Sequence, residues 1–250
     1  MEELALAMEE KVEPRAALPP QRPGLLESAQ AMLSMLVIAL FVTTFTVQPI
    51  RIPSQSMEPT MLVGDFLLLD RQAASNDDSF LMPPASVKRG DVVVFHDPVD
   101  DSSVHLVKRV IGLPGERIRL RNHVVYVNGR SLEESYTKYV PSMPDGYRDD
   151  FPNLDMMDAR VDPAWWIRLR GLVHEGEITV PAADYFVLGD NRNESDDSRY
   201  WGFVPRKSIV GVPVLVYFSW RQGEEARHGS GVMAAIKDSA RWERIFHVVR

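Results

Sequence analysis

The chain has 250 residues, 28 of them Lys or Arg and 35 Asp or Glu, giving a formal net charge of −7, and it contains no cysteine. The missing thiols exclude a disulfide framework, a cysteine nucleophile, an iron–sulfur cluster and a Cys-based zinc site, and an acidic balance without a basic, aromatic-laced stripe argues against nucleic acid. At 45% hydrophobic and 25% charged, the composition is that of one large or two modest globular domains.

Residues 1–27 scatter Pro14, Pro19, Pro20 and Pro23 among Lys11, Arg15, Arg22 and several glutamates, which predicts a mobile tail. From Ser28 to Ile50 no charged residue occurs over 23 positions. About 20 helical residues cross a hydrocarbon core of about 30 Å, so 28–50 is predicted as one transmembrane anchor. A helix buried in a soluble core is the alternative. A cleaved secretory signal fits less well, because the run ends in Thr-Val-Gln-Pro-Ile-Arg and not in an A-x-A-like site. Lys11, Arg15 and Arg22 precede the run and Arg51 alone follows it closely, which predicts a cytoplasmic N-terminus with residues 51–250 outside.

Beyond residue 50, short apolar runs are punctuated by Gly, Pro and Asp: 66–70, 91–96, 106–112, 124–129, 178–180, 185–189 and 212–218. These read as strands, and Asn128-Gly129 signals a type I′ hairpin. No alternation with helical patterns argues for parallel βαβ units. The expectation is a mainly β fold, an antiparallel sheet or barrel-like domain preceded by one transmembrane helix. Residues 131–177, with Trp165-Trp166 in the middle and no clear period, read as a loop-rich insertion.

Two prolines, Pro53 and Pro59, bracket Ser54 and Ser56 directly after the anchor. A serine hydroxyl attacks only when a neighbouring base takes its proton. In the strand Leu106–Gly112, period-2 alternation puts Lys108 and Arg109 on opposite faces, so one of them is expected to face the interior, and the spacing does not say which. Burial drives a lysine toward the neutral amine, whereas arginine stays charged. If either is a base, it is Lys108. The third segment, Gly189 to Gly202, is dense in turn formers and paired charges, which can lock a loop onto its own backbone.

IPSQSMEPTM, VKRVIGLPGE and GDNRNESDDSRYWGFVP, in that order after a single anchor, resemble bacterial type I signal peptidases, membrane-bound Ser/Lys endopeptidases. GDFLLLDR and VKRGDVVVFHDP add weaker matches, and Arg241 to Phe246 is similar to the family's end. The resemblance implies Ser56 as nucleophile and Lys108 as general base. It implies Ser195 as the group that orients the amine, and the Ser54 hydroxyl with the Ser56 N–H as the oxyanion hole. Asp197 and Arg199 would be a structural ion pair beside the site, and Ile52 and Val107 would line shallow pockets for small side chains. The implied partners are secretory preproteins, through their signal peptides, and membrane lipid; no cofactor or metal is implied, and the implied location is the bacterial inner membrane. Gln55 and Glu116 depart from the commoner residues without touching this chemistry.

Nucleophile-to-anchor spacing suits the same role: Ser56 lies nine residues past Val47, a reach of roughly 30 Å. Trp165, Trp166 and Ile167, with Trp242, Ile245 and Phe246, are expected either to touch lipid headgroups or to pack in the core. Other chemistries leave less trace. The six histidines form no H-E-x-x-H. A triad of Ser56 with His96 or His105 and Asp65 lacks a G-x-S-x-G elbow. The self-cleaving repressors also use Ser–Lys chemistry, but here an anchor replaces the DNA-binding module. An anchored β-domain that only binds an extracytoplasmic partner is the non-enzymatic alternative.

Overall fold

The structure, a computed structural model, describes residues 24–45, 47–71, 86–99, 104–221 and 239–249, with the backbone alone for 38–45 and 47. It divides into two units, Met1–Phe41 and Val42–Arg250. Helix α1 runs Leu25–Phe45. Leu25, Leu26, Met32, Leu33, Met35, Leu36 and Val37 are all exposed, so over 25–37 the apolar side chains surround the axis instead of forming one stripe. Among the described residues no helix is long and apolar enough to cross a membrane. The charge-free stretch also stops being helical early: Val47–Arg51 is strand β1, and Pro49 within it could not continue a helix. The expected boundaries 28–50 therefore become a helix at 25–45 and a strand. The tail 1–23 and the stretch Asn76-Asp77-Asp78 lie outside the described residues.

The second unit is mainly antiparallel β-structure. After β1 come β2 (Asp65–Asp70), β3 (Val92–His96), β4 (His105–Gly112), β5 (Arg117–Arg121), β6 (Val124–Val127) and β7 (Arg130–Ser131), then β8 (Val173–His174) and β9 (Glu177–Thr179), and finally β10 (Asp184–Leu188), β11 (Val204–Pro205), β12 (Ile209–Ser219) and β13 (His247–Val248). One sheet is ordered β1-β2-β12-β3-β4-β10-β11 with β13 on β12; the other is β7-β6-β5-β9-β8. Strand β12 joins two ladders, pairing Ile209 and Gly211 with β3 and residues from Val212 onward with β2 through register shifts. At Gly211 a Cβ would stand 2.7 Å from the Asp70 carbonyl oxygen, so no side chain fits where the strand changes partner. The large sheet is open, with β1 and β11 at its two ends. That corrects the barrel-like expectation, because closure would need those ends to pair.

Local chemistry explains the pieces. In β5, Ile118 and Leu120 are buried while Arg117, Arg119 and Arg121 face the other way, the two-residue period of a half-buried strand. Asn128 and Gly129 have φ of 51° and 78° and join β6 to β7 with Val127 opposite Arg130, as the type I′ reading requires.

The stretch 131–177 is more than loop. Asp145 caps α2 (Gly146–Asp149), and Asp162, followed by Pro163, caps α3 (Pro163–Leu172), the usual entry to a helix. Tyr147, Phe151, Val161, Trp165 and Leu169 pack with Ile118, Leu120, Ile178 and Phe186 in one apolar cluster. Trp165 is 2% exposed, which removes it from any headgroup contact; Ile167, Trp242 and Phe246 remain exposed.

Candidate active site

Ile52 and Met57 set the first wall. Ile52 is tied to the start of β2 by its N–H to the Asp65 carbonyl and by Gly64 N–H to its own carbonyl. Burial of Met57 and Met61, with a Met61 N–H to Met57 carbonyl bond of 2.9 Å, holds the intervening turn. Ser56 sits on that turn at 7% exposure. Its carbonyl accepts from Asn191 N–H at 3.1 Å, and its Oγ lies 3.3 Å from the exposed Ser54 Oγ.

Lys108 comes from the middle of β4 and is 4% exposed. Its Nζ is 2.7 Å from Ser56 Oγ. Burial is the main force on its ammonium and lowers the pKa from 10.5 to about 8, although Asp197, Asp196 and Asp190 pull it back up and Arg199 pushes it further down. A charged amine donates across this contact; once neutral, the same separation lets the hydroxyl donate to nitrogen. That is what a serine nucleophile requires.

The expectation that one of the two cations would be interior is corrected: Arg109 is buried as deeply, at 2%. It faces the other way, with Nε and Nη2 at 2.8 and 2.7 Å from the two Asp190 oxygens and Nη1 at 2.7 Å from the Gly90 carbonyl. Tyr136 stacks on its guanidinium, 3.9 Å from ring centre, and Thr60 Oγ1 donates to Asp190 at 2.5 Å. A buried arginine is tolerated when its fork is matched by a carboxylate in this way.

The loop after β10 closes the site. At Gly189 a Cβ would meet Ser195 Oγ at 2.2 Å and the Ser56 carbonyl oxygen at 2.5 Å, so the close approach demands glycine. Asp197 is fully buried and accepts from Arg199 Nε and Nη2, each at 2.8 Å, and from Gly189 N–H at 3.1 Å. Burial alone would raise its carboxyl, but Arg199, Lys108 and these hydrogen bonds outweigh that and hold it below the ordinary carboxylate range. Arg199 also donates to the Arg148 and Arg192 carbonyls. Its own carbonyl accepts from Tyr147 Oη at 2.7 Å and Trp165 Nε1 at 3.0 Å.

The structure thus brings Ser54, Ser56 and Lys108 together and sets Asp197 with Arg199 behind them. Ser195 is 1% exposed and its Oγ has no hydrogen-bond partner, so the expected contact to the amine is not formed. Ile52 and Val107 share one apolar cluster with Met57. The histidine alternative gains nothing from the contacts of its members. Asp65 accepts from Ser219 at 2.6 Å and from Arg244, His96 and His105 lie ring to ring at 4.8 Å, and the Ser56 hydroxyl faces an amine.

Sequence reasoning missed the partners of Arg109, namely Asp190, Thr60 and Tyr136, and also the Glu134–Arg192 ion pair. The available signal was Arg109 itself: a second cation inside an apolar strand needs a buried carboxylate, and Asp190 lies in a loop rich in them.

Residues 25–220 match a family model described as signal peptidase, peptidase S26. A signal peptidase I from Pseudomonas aeruginosa is 33% identical over 226 residues, covering 80% of this chain and 75% of that protein. Signal peptidase I P from Bacillus subtilis subsp. natto is 32% identical over 199 residues, 79% of this chain and 91% of its own. A signal peptidase I of known structure from Enterococcus faecalis V583 aligns at 37% identity over 51% of this chain and 96% of that one, with a TM-score of 0.37. With that match and relatives above 30% identity over most of its length, the chain belongs to the signal peptidase family, peptidase S26.

Proposed function

We propose that Ser56 and Lys108 carry the reaction of this family member, a serine endopeptidase that removes signal peptides from exported preproteins. The neutral Lys108 amine takes the Ser56 proton as Oγ attacks the carbonyl carbon after a small residue. The Ser54 hydroxyl and the Ser56 N–H donate to the oxyanion. Each donor fixed at such a position is worth about 2.7–4 kcal/mol. Lys108, now an ammonium, returns the proton to the leaving amine, which breaks the peptide bond and frees the mature chain. Water, deprotonated by the same amine, then releases the signal peptide from Ser56.

Ser195 orients the amine by turning its unpaired, buried hydroxyl toward Nζ. Asp197 and Arg199 hold the loop that presents it. Ile52 and Val107, clustered beside Ser56, flank the small side chains before the cut. The single observation that supports this reading is the 2.7 Å contact between Nζ and Ser56 Oγ at a buried lysine. Incubating the full chain in detergent with a precursor bearing an A-x-A site tests it: Lys108→Ala and Ser56→Ala abolish cleavage, and each single His→Ala variant keeps it. Cleavage by Lys108→Ala overturns it.

Helix α1, Leu25–Phe45, serves as a single membrane anchor in the bacterial inner membrane, with the tail in the cytoplasm and the β-domain outside. The exposed apolar side chains around α1 support that placement. Extraction at alkaline pH leaves the full chain with the membrane; release into the supernatant overturns it.

A further inference from the structure

Beside the loop that carries Ser195, the segment after β7 forms a parallel bridge between Lys138 and Asn191. Lys138 N–H donates to the Asp190 carbonyl at 2.7 Å, and Arg192 N–H donates to the Lys138 carbonyl at 3.0 Å. From this bridge a trough opens in two parts. The near part, about 300 Å³, is lined by His123, Tyr139, Ser142, Arg148 and Asn193. The far part, about 500 Å³, is lined by Met143, Met156 and Met157 and shares Ser142 and Arg148 with the first.

Asn193 is the built element. It is 8% exposed, its Nδ2 donates to Ser142 Oγ at 2.6 Å, and its Oδ1 has no partner. A buried amide oxygen without a donor is unfavourable, and it calls for an N–H to arrive from outside the fold.

The trough wall and the pair Ile52 and Val107 belong to different apolar clusters. Those two pack with Met61, Leu67 and Val94, whereas Tyr147, in the trough wall, packs with Phe151 and Trp165. Ser56 is linked to the loop beside the trough through its carbonyl, which accepts from Asn191 N–H, while its hydroxyl meets Lys108. From Asn191 to Asn193 the chain advances at most about 7 Å, the reach of two or three extended residues. We propose that this trough binds the precursor on the far side of the cut, the first residues of the mature protein. Asn193 Oδ1 accepts a main-chain N–H, which reads no side chain. The methionines, flexible and polarisable, accommodate whatever side chains follow.

The inference rests on the Ser56–Lys108 reading, and its test uses ligands that no peptidase can cut. Two precursor peptides share one signal segment ending in A-x-A and carry a CH2–CH2 link in place of the scissile amide. One continues for a single residue beyond the link, the other for six. The full chain in detergent is expected to bind the longer peptide about tenfold more tightly, the effect of one or two well-made hydrogen bonds. Asn193→Ala and Met143→Glu each bring the ratio of the two Kd values close to one. Met143 is 87% exposed, so its replacement leaves the packing intact. Equal Kd values in the unaltered protein, or a tenfold ratio that survives in both variants, overturn the proposal. Failure of the Ser56–Lys108 reading shows separately, as cleavage of an ordinary precursor by Lys108→Ala.

Discussion

The loop 189–199 and the insertion 131–177 meet at the Arg199 carbonyl, yet they are built from opposite materials. The loop buries Asp190, Asn191, Arg192, Ser195, Asp197, Ser198 and Arg199, each at 2% exposure or less. The insertion buries Tyr147, Phe151, Val161, Trp165 and Leu169. Apolar burial is non-directional and stabilises in proportion to area, while a matched guanidinium and carboxylate fix direction and cost desolvation. The loop holds the Ser56 carbonyl through the Asn191 N–H at 3.1 Å, a contact that needs a fixed direction. The insertion supplies an apolar support behind it, tied to the loop by the Tyr147 hydroxyl and the Trp165 indole N–H and also by the Glu134–Arg192 pair and the Lys138 backbone.

If that division is real, variants separate into those that lose rate and those that lose stability. The largest effect belongs to the proposed pair: Lys108→Ala or Ser56→Ala is expected to lower kcat by at least about 10⁴-fold while the thermal midpoint stays within a few degrees. Asp197→Asn comes next and joins the two classes. It leaves the Arg199 charge buried without its partner, a loss of about 3–5 kcal/mol in urea unfolding. The molecules that remain folded have a more acidic Lys108, because Asp197 raises that amine, so the rise of activity with pH moves to lower pH. Trp165→Ala costs a similar 3–5 kcal/mol, yet kcat per folded molecule changes far less than in the reacting-pair variants. A Trp165→Ala protein of full stability but no activity would break the contrast.

The same contrast explains what was legible in the sequence. Strands β2, β3, β4 and β12 show plainly as apolar runs, and Asn128-Gly129 gives the hairpin, because a two-residue turn with positive φ at both positions admits few sequences. The Ser56 and Lys108 segments stood out through motif and through a cation inside a strand. The insertion did not, since its buried side chains are single anchors from short helices and turns, and a period needs several consecutive turns to be visible. Nor did the partnership of Arg109 with Asp190, 81 residues apart in the chain. The turn-forming composition of 189–199 was readable, but its near-complete burial depends on neighbours that alternation within the loop does not encode.

A smaller effect tests the electrostatics of the pair directly. Folding lowers the Lys108 pKa from 10.5 to about 8. Below about pH 8 both states hold the proton, and the folded state carries the full burden of a buried charge. Between about 8 and 10.5 the unfolded chain keeps a proton that the folded one has released. Stability from this residue therefore rises with pH, by about 1.4 kcal/mol per pH unit at most. Urea midpoints measured at pH 7 and 10 should show this rise, and Lys108→Met should lack it. Activity follows the same group: kcat/KM climbs with the loss of one proton, with a midpoint near pH 8, and a profile flat from about pH 5 to 10 would remove the lysine from the base role.

The smallest expected effect lies two residues from one of the largest. In α3, Trp165 and Leu169 point into the apolar cluster, a spacing of four that puts both on one face, while Ile167 stands 73% exposed on the other. Ile167→Ser removes almost no buried area and should move unfolding by no more than about 0.5 kcal/mol. Its only route to a larger effect is a surface outside the protein. Binding to lipid vesicles that falls in Ile167→Ser, with an unchanged urea midpoint, would mean that this side of the insertion meets the bilayer although Trp165 does not. Unchanged vesicle binding would keep this face of the insertion out of the bilayer.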